Sequence, residues 1–253
     1  MKKKHYILTA VISYFVLLIA TIPAKPVTDL VNKNIPVTIQ GVSGTLWNGK
    51  AYVITTQDNI KINKTEWSFK PWKLLLGKIA VDVNAQFLDN DVSAELGTSF
   101  IGRYFINDLS AKIAAQEVAQ LANIPLAQLS GIISLDIESA QWKQGELPLA
   151  EGEIKWTDAM VTVTDTASLG NILIQLGESE EQLLSAVIEN QGGDIKISGT
   201  AGLVPEADYT VDLKLLPTAS ANNNIRQSLG FFAQKQSSGE YTLKKSGPLN
   251  QIM

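Results

Sequence analysis

Apolar and polar residues alternate with a period of two along most of the chain after residue 36. The clearest runs lie at 37–42, 51–56, 60–69, 79–87, 131–139, 152–156, 159–165, 193–199, 208–216 and 239–245. β-Branched and aromatic residues are frequent in these runs, and Asn, Asp or Gly separate many of them. Such alternation is typical of half-buried antiparallel strands. The sequence therefore predicts a mainly β protein.

Four segments interrupt the alternation and predict helices packed on the sheet. They are PWKLLLG after Phe69, AAQEVAQLAN at 114–123, a possible short helix ESEEQLLSAV at 178–187, and NNNIRQSLGFFAQK at 222–235. In the segments at 114–123 and 222–235, apolar residues recur every three to four positions, which gives each helix one apolar face. Strands and helices do not alternate regularly, so a parallel α/β fold is disfavoured.

The N-terminus has a different pattern, with lysines at positions 2–4 followed by an uncharged apolar run from Tyr6 to Ile22. We predict a cytoplasmic segment over 1–5, a transmembrane signal-anchor helix over 6–23, a stalk with one helical turn over 24–36 and a periplasmic β domain over 37–253. The lysines should stay in the cytoplasm, which sends the rest of the chain across the inner membrane. A cleaved signal peptide is the alternative interpretation.

A faint internal repeat raises the possibility of two β halves. LWNGK at 46–50 precedes Trp67, and QWKQGE at 141–146 precedes Trp156 in a similar way. The spacing is too irregular for a solenoid with a fixed repeat. The halves would cover 37–123 and 128–253.

Composition excludes several classes of function. The chain has 253 residues, a net charge of -4 and no cluster of basic residues that would bind nucleic acid. It contains no cysteine, and its single histidine, His5, lies at the predicted membrane edge. The acidic clusters at 89–91, 146–153 and 178–181 are expected on solvated surface. We therefore predict no catalytic, cofactor-binding or metal-binding residues and no enzymatic activity.

Glycine and tryptophan placement provides the candidate functional residues. Asn48-Gly49 is a hairpin-turn dipeptide, so we predict that Gly44, Trp47 and Gly49 form a turn that anchors the sheet. Trp67 and Trp72 are predicted to pack against this turn. Buried tryptophans that join sheet to helix explain the pattern, and an exposed aromatic patch that docks another protein would use the same residues.

Several segments taken together resemble the type II secretion system protein N family. They are the lysine-led apolar N-terminus, GVSGTLWNGKA, EWSFKPWKLLLG, IESAQWKQGELPLAEGEIKW and KKSGPLNQ, in that order. The resemblance implies a non-enzymatic inner-membrane component that supports export of folded proteins from the periplasm across the outer membrane. It also implies three partners: the inner-membrane platform, the C component and the secretin.

The family in turn resembles AsmA-like proteins, which combine a membrane anchor with a long curved antiparallel β-sheet in the periplasm. That wider resemblance implies the same architecture here, with a few packed helices. It also supports an alternative function, a groove that binds or transfers lipid, because a curved sheet can present one apolar face to acyl chains. Lipid is thus a possible ligand.

Overall fold

The computed structural model describes residues 2–34, 36–57, 59–122, 127–163, 165–178, 184–204 and 208–248. The chain is mainly β, with antiparallel strands and few helices, as the alternation predicted. It divides into two compact units, Met1–Leu96 and Gly97–Met253. The predicted halves would have met at 123–128, of which 123–126 lie outside the described residues. The strands on either side of that segment pair along ten residues, which explains why no division falls there.

Two helices open the first unit. Helix α1 spans Lys2–Ala20 and helix α2 spans Ala24–Asn34, with Pro23 between them. In the part of the chain that the structure describes, no helix is long and apolar enough to cross a membrane, so the span expected over 6–23 is not found. The single helical turn expected in the stalk is also wrong, because α2 has 11 residues. Pro26 is tolerated in its first turn, where no N–H donor is needed.

The strands of the first unit follow the predicted alternation closely. They are β1 Val37–Gln40, β2 Ser43–Gly44, β3 Asn48–Thr56, β4 Lys61–Phe69, β5 Lys78–Phe87 and β6 Asn90–Ser99, the last of which crosses the unit boundary. Their order is β1-β3-β4-β5-β6, and β2 pairs with the start of β3. The predicted helix after Phe69 is a 3₁₀ helix, Pro71–Leu76, which connects β4 to β5.

The second unit contains a longer run of strands. They are β7 Tyr104–Ala114, β8 Gln128–Trp142, β9 Leu149–Thr162, β10 Thr166–Gly177, β11 Leu184–Gln191, β12 Ile195–Val204, β13 Asp208–Pro217, β14 Gln234–Lys235 and β15 Tyr241–Pro248. Consecutive strands are neighbours from β7 to β13, after which the order is β13-β15-β14. Two helices, α3 Ala115–Leu121 and α4 Asn223–Leu229, complete the unit.

Three sequence predictions change in this unit. The run at 152–156 and residues 159–162 of the next predicted run belong to one strand, β9, which continues through Asp158 in a left-handed conformation with φ of 51°. The predicted helix at 178–187 is wrong from Leu184 onward, because Leu184–Glu189 pairs with β12. Residues 179–183 lie outside the described part. Helix α4 ends at Leu229, although the prediction extended to 235.

The core of the second unit lies between α4 and the sheet. Ile225 and Leu229 on α4 are buried against Ile195, Leu215 and Tyr241. The side-chain oxygen of Asn222 accepts a hydrogen bond from the backbone N–H of Ile225 at 2.8 Å and so caps the helix N-terminus. This cap stabilises the one turn that places both apolar side chains on the sheet.

Candidate functional site

Two carboxylates of the acidic cluster at 146–153, Glu146 and Glu153, are paired with cations. The described residues contain no group of His, Asp and Glu that could hold a metal ion. Glu146 accepts hydrogen bonds from Lys143 at 3.1 Å and from Arg103 at 2.9 Å, and the bond from Lys143 lowers the pKa of the Glu146 carboxyl. Glu153 accepts one from Lys155 at 2.5 Å, which raises the pKa of the lysine. These contacts are surface ion pairs of modest energy.

Glu95 is the buried carboxylate that sequence reasoning missed. It lies in β6 with 3% of its side chain exposed. Lys70 Nζ lies 2.7 Å from Glu95 and 2.7 Å from Asp82, and Lys73 pairs with the second Glu95 oxygen. Hydrogen bonds to Asp82 and Glu95 raise the pKa of Lys70, which therefore stays charged at neutral pH. Both lysines belong to the segment around the 3₁₀ helix, so Glu95 fixes that segment to the sheet.

Gly44, Gly49 and Trp67 meet where β2 is joined to β3. Gly44 has a φ of 87°, and a Cβ there would lie 2.5 Å from the carbonyl oxygen of Asn48. A Cβ on Gly49 would lie 2.3 Å from the Trp67 ring. The Trp67 indole donates to the carbonyl of Leu46 at 3.0 Å. Only glycine lets the indole and the turn approach so closely.

Trp47 joins this turn to the end of α1. Its Nε1 donates a hydrogen bond to the carbonyl oxygen of Ile19 at 2.7 Å, and its ring centroid lies 5.0 Å from that of Phe69. The backbone N–H of Leu46 donates to the carbonyl of Ile22 at 2.9 Å. We call residues 43–49 the anchor turn, because they fasten the C-terminal end of α1 to one end of the first unit's sheet.

Trp72 lies outside that packing, in the 3₁₀ helix. Its side chain is 54% exposed, and Lys73 Nζ lies 5.2 Å from its ring centroid. Leu75 is 89% exposed and Leu76 is 64% exposed. We call residues 70–79 the apolar loop. Of the five predicted site residues, four therefore gather at the anchor turn and the fifth projects from the loop beside it.

The second unit contains an apolar cavity of about 220 Å³ beneath α4. Its walls come from β9, β10, β12, β13 and α4, and include Ala167, Leu169, Ile197 and Phe232. Asp165 lies at the cavity and accepts a hydrogen bond from Asn224 at 2.6 Å. An apolar pocket with one acidic group at its edge suits an acyl chain or an apolar side chain.

Two outer strands differ in how their edges are closed. At β1, the side-chain amide of Asn32 on α2 bonds both the N–H and the carbonyl of Ile39, at 2.8 and 3.1 Å. This amide blocks the addition of a strand there. At β15, the described residues provide a partner on the outer side only at Tyr241 and Thr242, through the two-residue β14.

Comparison with known proteins identifies the family. The family model described as type II secretion system (T2SS), protein N, matches residues 36–244, which is most of the chain. The chain belongs to the type II secretion system protein N family. It is 24% identical over 252 residues to the type II secretion system protein N of Aeromonas hydrophila, covering 93% of this chain and 94% of that protein. No solved structure gives a significant match.

The family match includes both the anchor turn and the α4 cavity. Its limits, 36 and 244, enclose the strands from β1 to β14 and the first residues of β15. Helix α1 lies before the matched region, whereas the relative from Aeromonas hydrophila aligns with nearly the whole chain. As a member of the protein N family, the chain is a component of a secretion system that exports proteins.

Proposed function

We propose that this chain is a non-enzymatic component of the type II secretion system, held at the inner membrane, that supports export of folded proteins from the periplasm across the outer membrane. The match of residues 36–244 to the protein N family carries this proposal. The proposed partners are the inner-membrane platform, the C component and the secretin. In this arrangement the N-terminus lies in the cytoplasm and both β units lie in the periplasm.

Helix α1 supports the proposed membrane attachment. Every residue from His5 to Ala20 is exposed, and large apolar side chains such as Tyr6, Ile12 and Phe15 are at least half exposed. Exposed apolar surface of this extent is costly in water and is stabilised when lipid covers it. The lysines that begin the helix suit the cytoplasmic headgroups.

The outer edge of β15 is the proposed contact for a partner strand. The carbonyl of Glu240 faces β14 and accepts a hydrogen bond from the N–H of Gln236. The backbone groups of every second residue of a strand face the same side, so those of residues 242, 244 and 246 also face outward. Lys244 and Ser246 therefore offer backbone groups on the side away from β13. A partner in extended conformation would extend the sheet by pairing with them.

Deletion of the gene tests the role in export. We expect secreted substrates to remain folded and active in the periplasm, while envelope integrity is unchanged. The intact chain supplied from a plasmid should restore secretion. Normal secretion in the clean deletion strain would refute the proposal.

Crosslinking in cells tests the contact at β15. A photoreactive amino acid at Ser246 should crosslink to another secretion component. The matched control is Glu189, which is also exposed but lies on β11, between two paired strands. Equal crosslinking from both positions, or none from Ser246, would exclude the edge as the contact.

The α4 cavity favours a second candidate function, the binding of lipid. Its volume and its apolar walls fit part of one acyl chain. Mild isolation followed by native mass spectrometry should detect phospholipid on the intact chain, and Ala167→Phe should remove it by filling the cavity. If lipid is absent from the unaltered chain, or is retained at the same level in the filled variant, this function is excluded.

A further inference from the structure

We propose that the apolar loop, residues 70–79, inserts into the periplasmic surface of the same membrane that holds α1. The proposal goes beyond the secretion role and rests on the membrane attachment proposed above. It assigns a lipid bilayer as the partner of a surface that the fold leaves uncovered. Four properties of the loop support it.

The first property is the exposure of large apolar side chains in a short segment. Leu75 and Leu76 are 89% and 64% exposed, and Trp72 is 54% exposed. Leu74 and Ile79 are each more than two-fifths exposed. An exposed apolar surface of this kind indicates a contact with lipid or with a protein, because apolar side chains are more stable when they are removed from water.

The second property is the position of the loop beside the end of α1. Trp47 donates to the carbonyl of Ile19 and packs on Phe69, the last residue of β4. The loop begins at the next residue, Lys70. A chain of direct contacts thus places the exit of the helix and the base of the loop at one end of the first unit's sheet. A bilayer that encloses α1 up to this point would meet the loop.

The third property is that the loop is held in shape before it meets any partner. Gly77 ends the 3₁₀ helix in the left-handed conformation, and its N–H donates to the carbonyl of Leu74. Lys70 and Lys73 both pair with buried Glu95. Because the loop is already ordered, little conformational entropy is lost when its leucines enter a membrane.

The fourth property is composition, which favours lipid over a protein partner. The loop places a tryptophan and three leucines within five consecutive positions, 72–76. Tryptophan prefers the headgroup region of a bilayer, and leucine prefers the acyl chains beneath it. The position of the apolar loop beside α1 also favours lipid, because one bilayer would cover both the loop and the helix.

The absence of native cysteine permits a direct test in the full-length chain. Leu75→Cys is labelled with an environment-sensitive dye, and the chain is reconstituted into vesicles of phosphatidylethanolamine and phosphatidylglycerol. The matched control is Gln57→Cys, which is exposed at the far end of β3. That end lies roughly 30 Å from the anchor turn for a strand of this length. Circular dichroism checks that both variants fold as the unaltered chain does.

We expect the dye at position 75 to shift to the blue and to be quenched by lipids that carry a nitroxide high on the acyl chain. The dye at position 57 should do neither. If the chain floats with the vesicles but the dye at position 75 stays in water, the loop proposal fails while membrane attachment stands. A chain that does not float overturns both. A shift that requires added secretion proteins would show protein docking instead and would also overturn the loop proposal.

Discussion

The indole Nε1 of Trp47 lies 2.7 Å from the carbonyl oxygen of Ile19, across 28 positions of sequence. This bond makes the last turn of α1 part of the first unit, although the helix has no other element packed along its exposed residues 5–20 in the described part of the chain. The orientation of the sheet relative to whatever surrounds α1 is therefore set at the anchor turn.

Replacement of Trp47 should separate the two contributions of its side chain. Trp47→Phe keeps an aromatic ring near Phe69 but removes the bond to Ile19, which should cost about 1 kcal/mol. Trp47→Ala also removes the ring packing and should cost about 3 kcal/mol. Urea unfolding of the intact chain, followed by tryptophan-independent circular dichroism, measures both. Unaltered stability of Trp47→Phe would contradict the role of the hydrogen bond, and equal stability of the two variants would contradict the role of the ring packing.

Gly49 should not tolerate a methyl group. Its Cβ would lie 2.3 Å from the Trp67 ring, so Gly49→Ala must displace the indole or the turn. We expect a loss of about 2 kcal/mol in the free energy of unfolding. Gly177→Ala is the control, because no heavy atom lies within 4 Å of the added Cβ. It should change stability by less than about 0.5 kcal/mol. Similar losses in both variants would mean that backbone freedom, and not the Trp67 contact, is what matters.

Glu95→Gln should destabilise the first unit. The substitution leaves Lys70 and Lys73 beside a neutral group at a buried position, and loss of one partner of a buried ion pair costs about 3 kcal/mol. Glu66→Gln disrupts the ion pair with exposed Lys50, where at most about 0.5 kcal/mol is expected. Thermal unfolding of both variants provides the comparison. A larger effect at Glu66 than at Glu95 would refute the assignment.

The raised pKa of Lys70 predicts an alkaline dependence of stability. Its hydrogen bonds to Asp82 and Glu95 favour the charged form in the folded state. The contribution to stability is therefore complete below the unfolded pKa of about 10.4 and is lost as the pH rises through the folded pKa. Lys70→Met should be less stable than the unaltered chain at neutral pH, and the difference should shrink at strongly alkaline pH. A difference that instead grew with pH would exclude this linkage.

The cap of α4 should control both the helix and the cavity beneath it. Asn222→Ala removes the acceptor for the N–H of Ile225 and should cost about 1 kcal/mol. Asn223→Ala, at an exposed neighbouring position, should be nearly neutral. Urea unfolding measures stability, and hydrogen exchange at Ile225 and Leu229 reports the helix. Unchanged exchange in Asn222→Ala would show that packing alone orders the helix.

Alternation predicted the strands whose two faces differ clearly. It failed at β6, NDVSAELGTS, because polar residues occupy both of its faces, including the buried Glu95. It also failed at β7 and β10, where glycine or charged residues interrupt the apolar positions. At 184–187 the sequence LSAV fits either period, and pairing with β12 decides for a strand. The local pattern of apolar and polar residues does not show which strand a segment pairs with.

The candidate residues show the same limit. The Asn-Gly dipeptide predicted a turn at 48–49, but Asn48 and Gly49 begin β3 and the turn lies just before them, at residues 45–47. The ion pairs of Glu95 join residues 22 and 25 positions apart, and nothing in the composition of either segment marks them. Exposure of Trp72 was equally invisible, because a tryptophan in a short apolar segment looks the same whether it packs inward or points outward.

The amide of Asn32 on the edge of β1 has a consequence for polymers of this chain. Head-to-tail stacking by strand pairing needs a free sheet edge at each end of every copy, because each copy must pair with one neighbour at each end. Ile39 is already occupied by Asn32, so β1 cannot serve as the second end. A copy that paired along β15 would terminate growth, and fibres built by this route cannot lengthen.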